Sequence, residues 1–182
     1  MIKLGLLSLT TLVLLHSQHA QASEQKYFKN LRYNHVSLHV PIKGILPISA
    51  EQAEKESHYV FHYDGEGRIT EIINNKYGRF RRHPLTHFGA HKITFDYQGS
   101  KEVRAYFDIK DKPMKNIRGV HKEVFSLDTS GFKRKLDFYD KDNQPVESNW
   151  KIANYTWQQQ DGLVVEQRFD LKGEAKALSP YF

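Results

Sequence analysis

The chain has 182 residues, no cysteine, 13% aromatic residues, a formal charge of +6 and a pI near 9.3. The lack of cysteine excludes disulfides, thiol catalysis and a lipid anchor on a cysteine, so stability must come from core burial. The length suffices for one domain with a proper core, and the modest positive excess favours anionic partners.

Met1 to Ala22 reads as a signal peptide. Lys3 supplies the positive n-region, Leu4 to Leu15 is an apolar run too short to span a bilayer comfortably, and Ala20-Gln21-Ala22 places small residues at the cleavage site. Cleavage before Ser23 would leave +5, because Lys3 is removed. The expected address is the bacterial periplasm or the medium, and no other stretch is apolar enough for a membrane helix.

Residues 23–57 read as a polar arm to Asn34, a strand and a short helix. Val36, Leu38 and Val40 alternate with His35, Ser37 and His39, which predicts a strand, and Gly44 and Pro47 mark a loop after it. Ser49-Ala50-Glu51-Gln52 is a capping box, predicting one helix around Ala50 to Glu56.

Residues 58–182 form the hairpin region, one domain with the preceding segment. The anchors Phe61, Phe95, Phe125 and Trp157 recur at separations of 34, 30 and 32 residues, the period of a reused supersecondary unit. Around them the first strands alternate: Tyr59, Phe61 and Tyr63; Ile93, Phe95 and Tyr97; Glu123, Phe125 and Leu127; Tyr155, Trp157 and Gln159. Second strands are expected to answer with Ile69 and Ile73, Val103 and Phe107, Leu136 and Phe138, and Val165 and Phe169. Turns fall at Asp64–Gly67, Gln98–Ser100, Asp128–Gly131 and Gln160–Gly162. The expected fold is all-β, an antiparallel meander of about four β-hairpin repeats forming a curved or partly rolled sheet, with a small closed barrel as the alternative.

The segment Phe61-His62-Tyr63-Asp64-Gly65-Glu66-Gly67-Arg68-Ile69-Thr70-Glu71-Ile72 resembles the YD repeat of Rhs-type secreted proteins, which favours Tyr-x-Tyr-Asp-x-x-Gly-Arg-Leu-Thr. Later units keep Phe107-Asp108, Tyr139-Asp140 and Phe169-Asp170 without the Gly-Arg-Leu-Thr part. The resemblance implies strand–turn–strand units on an extracytoplasmic β-scaffold used for encapsulation or binding, and it supplies no catalytic residue.

Histidines recur along the chain at a spacing of four. The pairs His35/His39 and His58/His62 would lie about 13 Å apart on a strand, too far to share an ion. His83, His87 and His91 run through a loop and are the candidate metal ligands. Lys76, Arg79, Arg81, Arg82 and His83 surround Phe80 in a long connection, and are the candidate site for an anionic partner. The cluster Lys133-Arg134-Lys135 reads as solvated charge guarding a strand edge. Asp64, Asp108, Asp140 and Asp170 recur at equivalent positions, which argues for turn chemistry rather than acid–base catalysis. No cofactor is expected. The sequence thus suggests an exported, non-enzymatic binding or scaffold module that meets an anionic envelope lipid, lipopolysaccharide, an acidic glycan or a protein partner, with nucleic acid not expected. An enzyme acting on an envelope glycan or lipid at an aromatic cleft is the alternative.

Overall fold

The computed structural model describes residues 24–75 and 88–177. Its strands are β1 (Glu24–Arg32), β2 (Lys43–Ile48), β3 (His58–Tyr63), β4 (Ile69–Asn75), β5 (Lys92–Gln98), β6 (Lys101–Phe107), β7 (Lys122–Leu127), β8 (Lys133–Tyr139), β9 (Asn154–Gln160) and β10 (Leu163–Phe169), with one helix, α1 (Ala50–Ala53). They form one antiparallel sheet in the order β10-β9-β8-β7-β6-β5-β4-β3-β1-β2. The fold is the expected all-β hairpin meander, and the sheet stays open, with β10 and β2 at its edges rather than joined in a barrel.

The N-terminal segment departs from the sequence reading. Residues 24–32, expected as a loose arm, are a strand, because the outer edge of β3 offers them a ladder from Glu24↔Tyr63 to Phe28↔Tyr59. The strand expected over 35–40 does not form. The Asn34 Oδ1 accepts the backbone N–H groups of Val36 at 2.9 Å and Ser37 at 2.8 Å, an Asx turn that breaks the extended run. Gly44 and Pro47, expected in a loop, belong instead to β2, where an edge strand tolerates a residue without an N–H. The capping box is present, with Gln52 N donating to Ser49 Oγ at 3.2 Å and Ser49 N to Gln52 Oε1 at 3.0 Å. The helix stops at Ala53 rather than Glu56, as Lys55 N reaches back only three residues to Gln52 O.

Tyr33 to Ile42, between β1 and β2, forms a strap across the inner face of the sheet. Tyr33 and Ile42 join one apolar cluster with Phe61, Phe88 and Phe95, whereas Leu38 joins a second with Phe125, Phe138 and Trp157. The His39 and Trp157 rings lie 5.7 Å apart. In a flat sheet, seven spacings of about 4.8 Å would separate β1 from β9 by about 34 Å. The seven residues from Arg32 to His39 reach at most ~25 Å even fully extended. The turns at Asn34–Ser37 and Ser37–Val40 shorten that reach, and side chains standing perpendicular to a sheet add little along it. The sheet therefore curls, and the strap lies inside the curl.

All four anchor aromatics are buried on this inner face. The second strands are only partly as expected. Ile69, Leu136 and Phe138 pack inward, but β6 buries Glu102, Arg104 and Tyr106 rather than Val103 and Phe107, and β4 buries Ile72 rather than Ile73. On β10, Glu166 and Arg168 lie opposite Trp157 and Tyr155, while Val165 is exposed. Lys133 is 7% exposed and not a surface lysine. The pairing shifts between Ser126 and Leu127, so Lys133 faces Leu127 and Arg134 is the extra residue. One inserted residue reverses the in/out parity beyond it.

If the anchors carry the core, Phe125→Ala lowers stability by about 3–5 kcal/mol. The exposed Val36→Ala changes it by less than about 0.5 kcal/mol. Urea denaturation midpoints of the two variants measure the contrast, and equal small effects would show that the inner face is not the core.

Candidate functional site

Lys76, Arg79, Arg81, Arg82, His83 and His87 lie outside the described residues. His91 is described, and its backbone joins the ladder through Asn74 N to His91 O at 2.8 Å. Among the described residues, no group of three or more histidines and carboxylates is placed to hold a metal ion. His58 and His62 sit on the outer face of β3, opposite Phe61, as a strand requires. Asp64, Asp108, Asp128, Asp140 and Asp170 each accept the backbone N–H groups of the residues two and four further on. The N–H donors of Lys112 and Gln144 hold the Asp108 and Asp140 carboxyls below the usual carboxylate range. These aspartates are therefore turn residues.

The unexpected feature is a seam of buried charge between the two apolar clusters. Arg104 donates from Nε to Glu102 Oε1 at 2.7 Å, and its Nη2 lies 2.6 Å from the same oxygen. Lys133 Nζ donates to that oxygen at 3.0 Å. The Arg104 guanidinium lies over both Phe125, at 4.4 Å, and Phe95, at 5.2 Å, and Lys133 Nζ sits 4.1 Å from the Phe125 centroid. Glu123 continues the seam. Its Oε1 accepts from Asn116 Nδ2 at 2.9 Å and Arg118 Nη1 at 3.4 Å, and Arg104 Nη1 lies 3.8 Å from Oε2. Arg118 also donates from Nη1 to the Tyr33 hydroxyl, and from Nη2 to His35 O at 3.3 Å, tying the strap to the loop before β7.

Charge in the seam does not balance. Among the described residues, Arg104, Arg118 and Lys133 pair with two carboxylates, Glu102 and Glu123, and all five are buried. The strain falls on Lys133, whose ammonium is pushed down to about 8 by burial and by the Arg104 charge, against the opposing pull of Glu102. Glu102 is lowered despite its burial, because Arg104 and Lys133 stabilise the carboxylate.

The seam opens toward the hairpin turns in a groove of about 410 Å³, with Glu102, Arg104 and Lys133 among its lining and Ile42, Phe95 and Tyr97 along its walls. Apolar walls with a few convergent polar groups are the usual form of a ligand site. Tyr97 is fixed by its hydroxyl donating to Ile69 O at 3.0 Å and by the Arg68 guanidinium 4.5 Å from its ring centroid. Glu102 engages one of the three donors that an ammonium carries, so Lys133 can also serve an anionic group entering the groove. At the other end of the seam, Arg118 lines a smaller cavity of about 160 Å³ beside Ile117 and Trp150.

Two variants separate the roles within the seam. Arg104→Met strips Glu102 of its closest partner and costs about 3–5 kcal/mol, whereas Lys133→Met leaves the Glu102–Arg104 pair whole and costs far less. Between about pH 8 and its ordinary 10.5, Lys133 binds fewer protons in the folded chain than in the unfolded one. Its contribution to stability therefore rises with pH across that window. Above pH 10, Tyr97 and Tyr155, raised to about 12 by burial, act in the opposite sense. Chemical denaturation from about pH 8 to 10 should show the parent gaining on Lys133→Met, and parallel curves would contradict the assignment. A scan against protein-family models, a search of curated proteins and a search of solved structures each return no match, so the site stands on its own geometry.

Proposed function

We propose that the protein is an exported, non-enzymatic binding module of the bacterial envelope that takes an anionic group of a glycan or lipid headgroup in the turn-side groove. The observation that carries this reading is the unequal burial of three cations against two carboxylates, with the lysine of that set lining the groove. An incoming phosphate or carboxylate supplies the missing negative charge without disturbing the Glu102–Arg104 pair. The apolar walls suit the non-polar body of a sugar ring or a lipid glycerol region. The leader-like Met1 to Ala22 supports export, and no described helix is long and apolar enough to cross a membrane. The basic stretch Lys76, Arg79, Arg81, Arg82 and His83 belongs to the same proposal, as a second contact with the anionic partner.

The lowered amine of Lys133 against an aromatic wall also favours a second reading, an enzyme acting on an envelope glycan or lipid in the same cleft. Turnover of such a substrate by the parent chain, lost in Lys133→Met, would carry that alternative.

Titration of the mature chain with lipopolysaccharide, anionic phospholipid vesicles and an oligouronate tests the binding reading and separates its ligand sources. Binding should weaken with salt and fall as pH rises through about 8, where Lys133 loses its proton. Lys133→Met should reduce affinity by about tenfold or more while folding normally. An Arg79/Arg81/Arg82→Ala variant should also bind more weakly than Lys135→Ala, whose side chain is exposed. Unchanged binding in Lys133→Met overturns the groove as the site, and no salt-sensitive binding to any of the three probes overturns the function.

A further inference from the structure

The two edges of the sheet are built differently. β2 carries Pro47, and Leu46 takes a left-handed φ of 58°, both of which spoil an edge as a template. β10 has no proline, and its Leu163, Val164 and Val165 are all exposed. Among the described residues no strand pairs with the outer edge of β10.

Its hydrogen-bonding groups can be assigned. Phe169 O accepts from Ala153 N on the β9 side, and Arg168 O accepts from Lys176 N on the outer side, so the backbone groups of Arg168, Glu166 and Val164 point outward. The bridge from Phe169 to Ala175, with the Lys176 bond, occupies the edge beyond Gln167, and the turn at Asp161-Gly162 closes the other end. The open window is thus the five residues Leu163 to Gln167. The corresponding five of β6, Lys101 to Ala105, are the ones that pair with β7.

This window is symmetric about Val165. Two copies laid antiparallel in full overlap place Val165 against Val165 on the outer face, Val164 against Glu166 on the inner face, and Leu163 against Gln167. The neighbouring register centred on Glu166 opposes two carboxylates and runs into the Lys176 contact. In the overlapping register Glu166 faces valine, its own charge already met by Arg168 Nη2 at 2.6 Å and Trp157 Nε1 at 2.6 Å. A head-to-tail chain of sheets would need β2 as the acceptor edge, which Pro47 and Leu46 spoil.

We propose that the protein self-associates as a two-fold dimer through antiparallel pairing of β10 with β10 of a second copy, with the axis passing at Val165. The pairing joins two curled sheets into one continuous sheet and keeps both grooves on the same face. It does not depend on the anionic-ligand reading.

The chain has no cysteine, so single-cysteine variants report the register directly. At the centre of a non-hydrogen-bonded pair the two Val165 Cα atoms fall about 4.5 Å apart, within disulfide range. Two Leu163 side chains fall about 13 Å apart, four residues along the strand. Under mild oxidation Val165→Cys should therefore form a covalent dimer about ten times faster than Leu163→Cys, although Leu163 is the more exposed, because the non-covalent dimer already holds the two thiols side by side. Val164→Pro removes an outward N–H while sparing the β9 ladder. It should sediment as a monomer with its thermal midpoint kept, and in combination should abolish the Val165→Cys cross-link. A parent chain that sediments as a monomer up to millimolar concentration overturns the proposal, as does Val165→Cys linking no faster than Leu163→Cys. A dimer that survives in Val164→Pro also overturns it.

Discussion

The inner face of this sheet is divided by one group, the Arg104 guanidinium, wedged between Phe95 and Phe125 and held by Glu102. Without it, the anchor aromatics would merge into a single apolar ladder. With it, they form two clusters joined by a charged seam. Burying such a group is costly unless its charge and its donors are met, and here two aromatic faces and two carboxylates meet them together. The strap depends on the same seam, because the Tyr33 hydroxyl and the His35 carbonyl both accept from Arg118. Strap and groove are thus both tied to how the chain accommodates a small number of buried charges.

Much of the fold was legible in the sequence because hairpins are local. The alternation around Phe61, Phe95, Phe125 and Trp157, the glycine and aspartate turns and the Ser49 capping box each specify their own backbone. The second strands were harder. In Lys101 to Phe107, both alternate sets are amphipathic, and a hydrophobicity reading chooses Val103 and Phe107 over Glu102, Arg104 and Tyr106. The register from β5 decides otherwise, pairing Glu102 with Tyr97 and Arg104 with Phe95 on one face. Lys133 was hidden for a different reason, since the bulge at Ser126/Leu127 that turns it inward is a property of two strands together.

The candidate site shows the same split between local and non-local information. A cluster such as Arg79, Arg81 and Arg82 is visible because its members are adjacent in sequence. Glu102, Arg104, Arg118, Glu123 and Lys133 are spread along the chain and become a set only when β6, β7 and β8 align. The one trace in the sequence was the occurrence of charge at strand positions that neighbouring units fill with apolar residues, as Glu123 does where the β5 unit has Ile93. A charge at such a position must find a partner, and several of them in adjacent strands imply a network.

The strap also sets the order in which the chain can fold. Hairpins close over short loops and form in microseconds, whereas the strap must wait for contacts far away in sequence. Tyr33 meets Arg118 across 85 residues, and His35 meets it across 83. A chain that emerges N-terminus first therefore exposes Tyr33 to Ile42 before anything exists to receive it. Closure is committed only once β7 and its preceding loop have been made, so a segment made early is among the last to be secured.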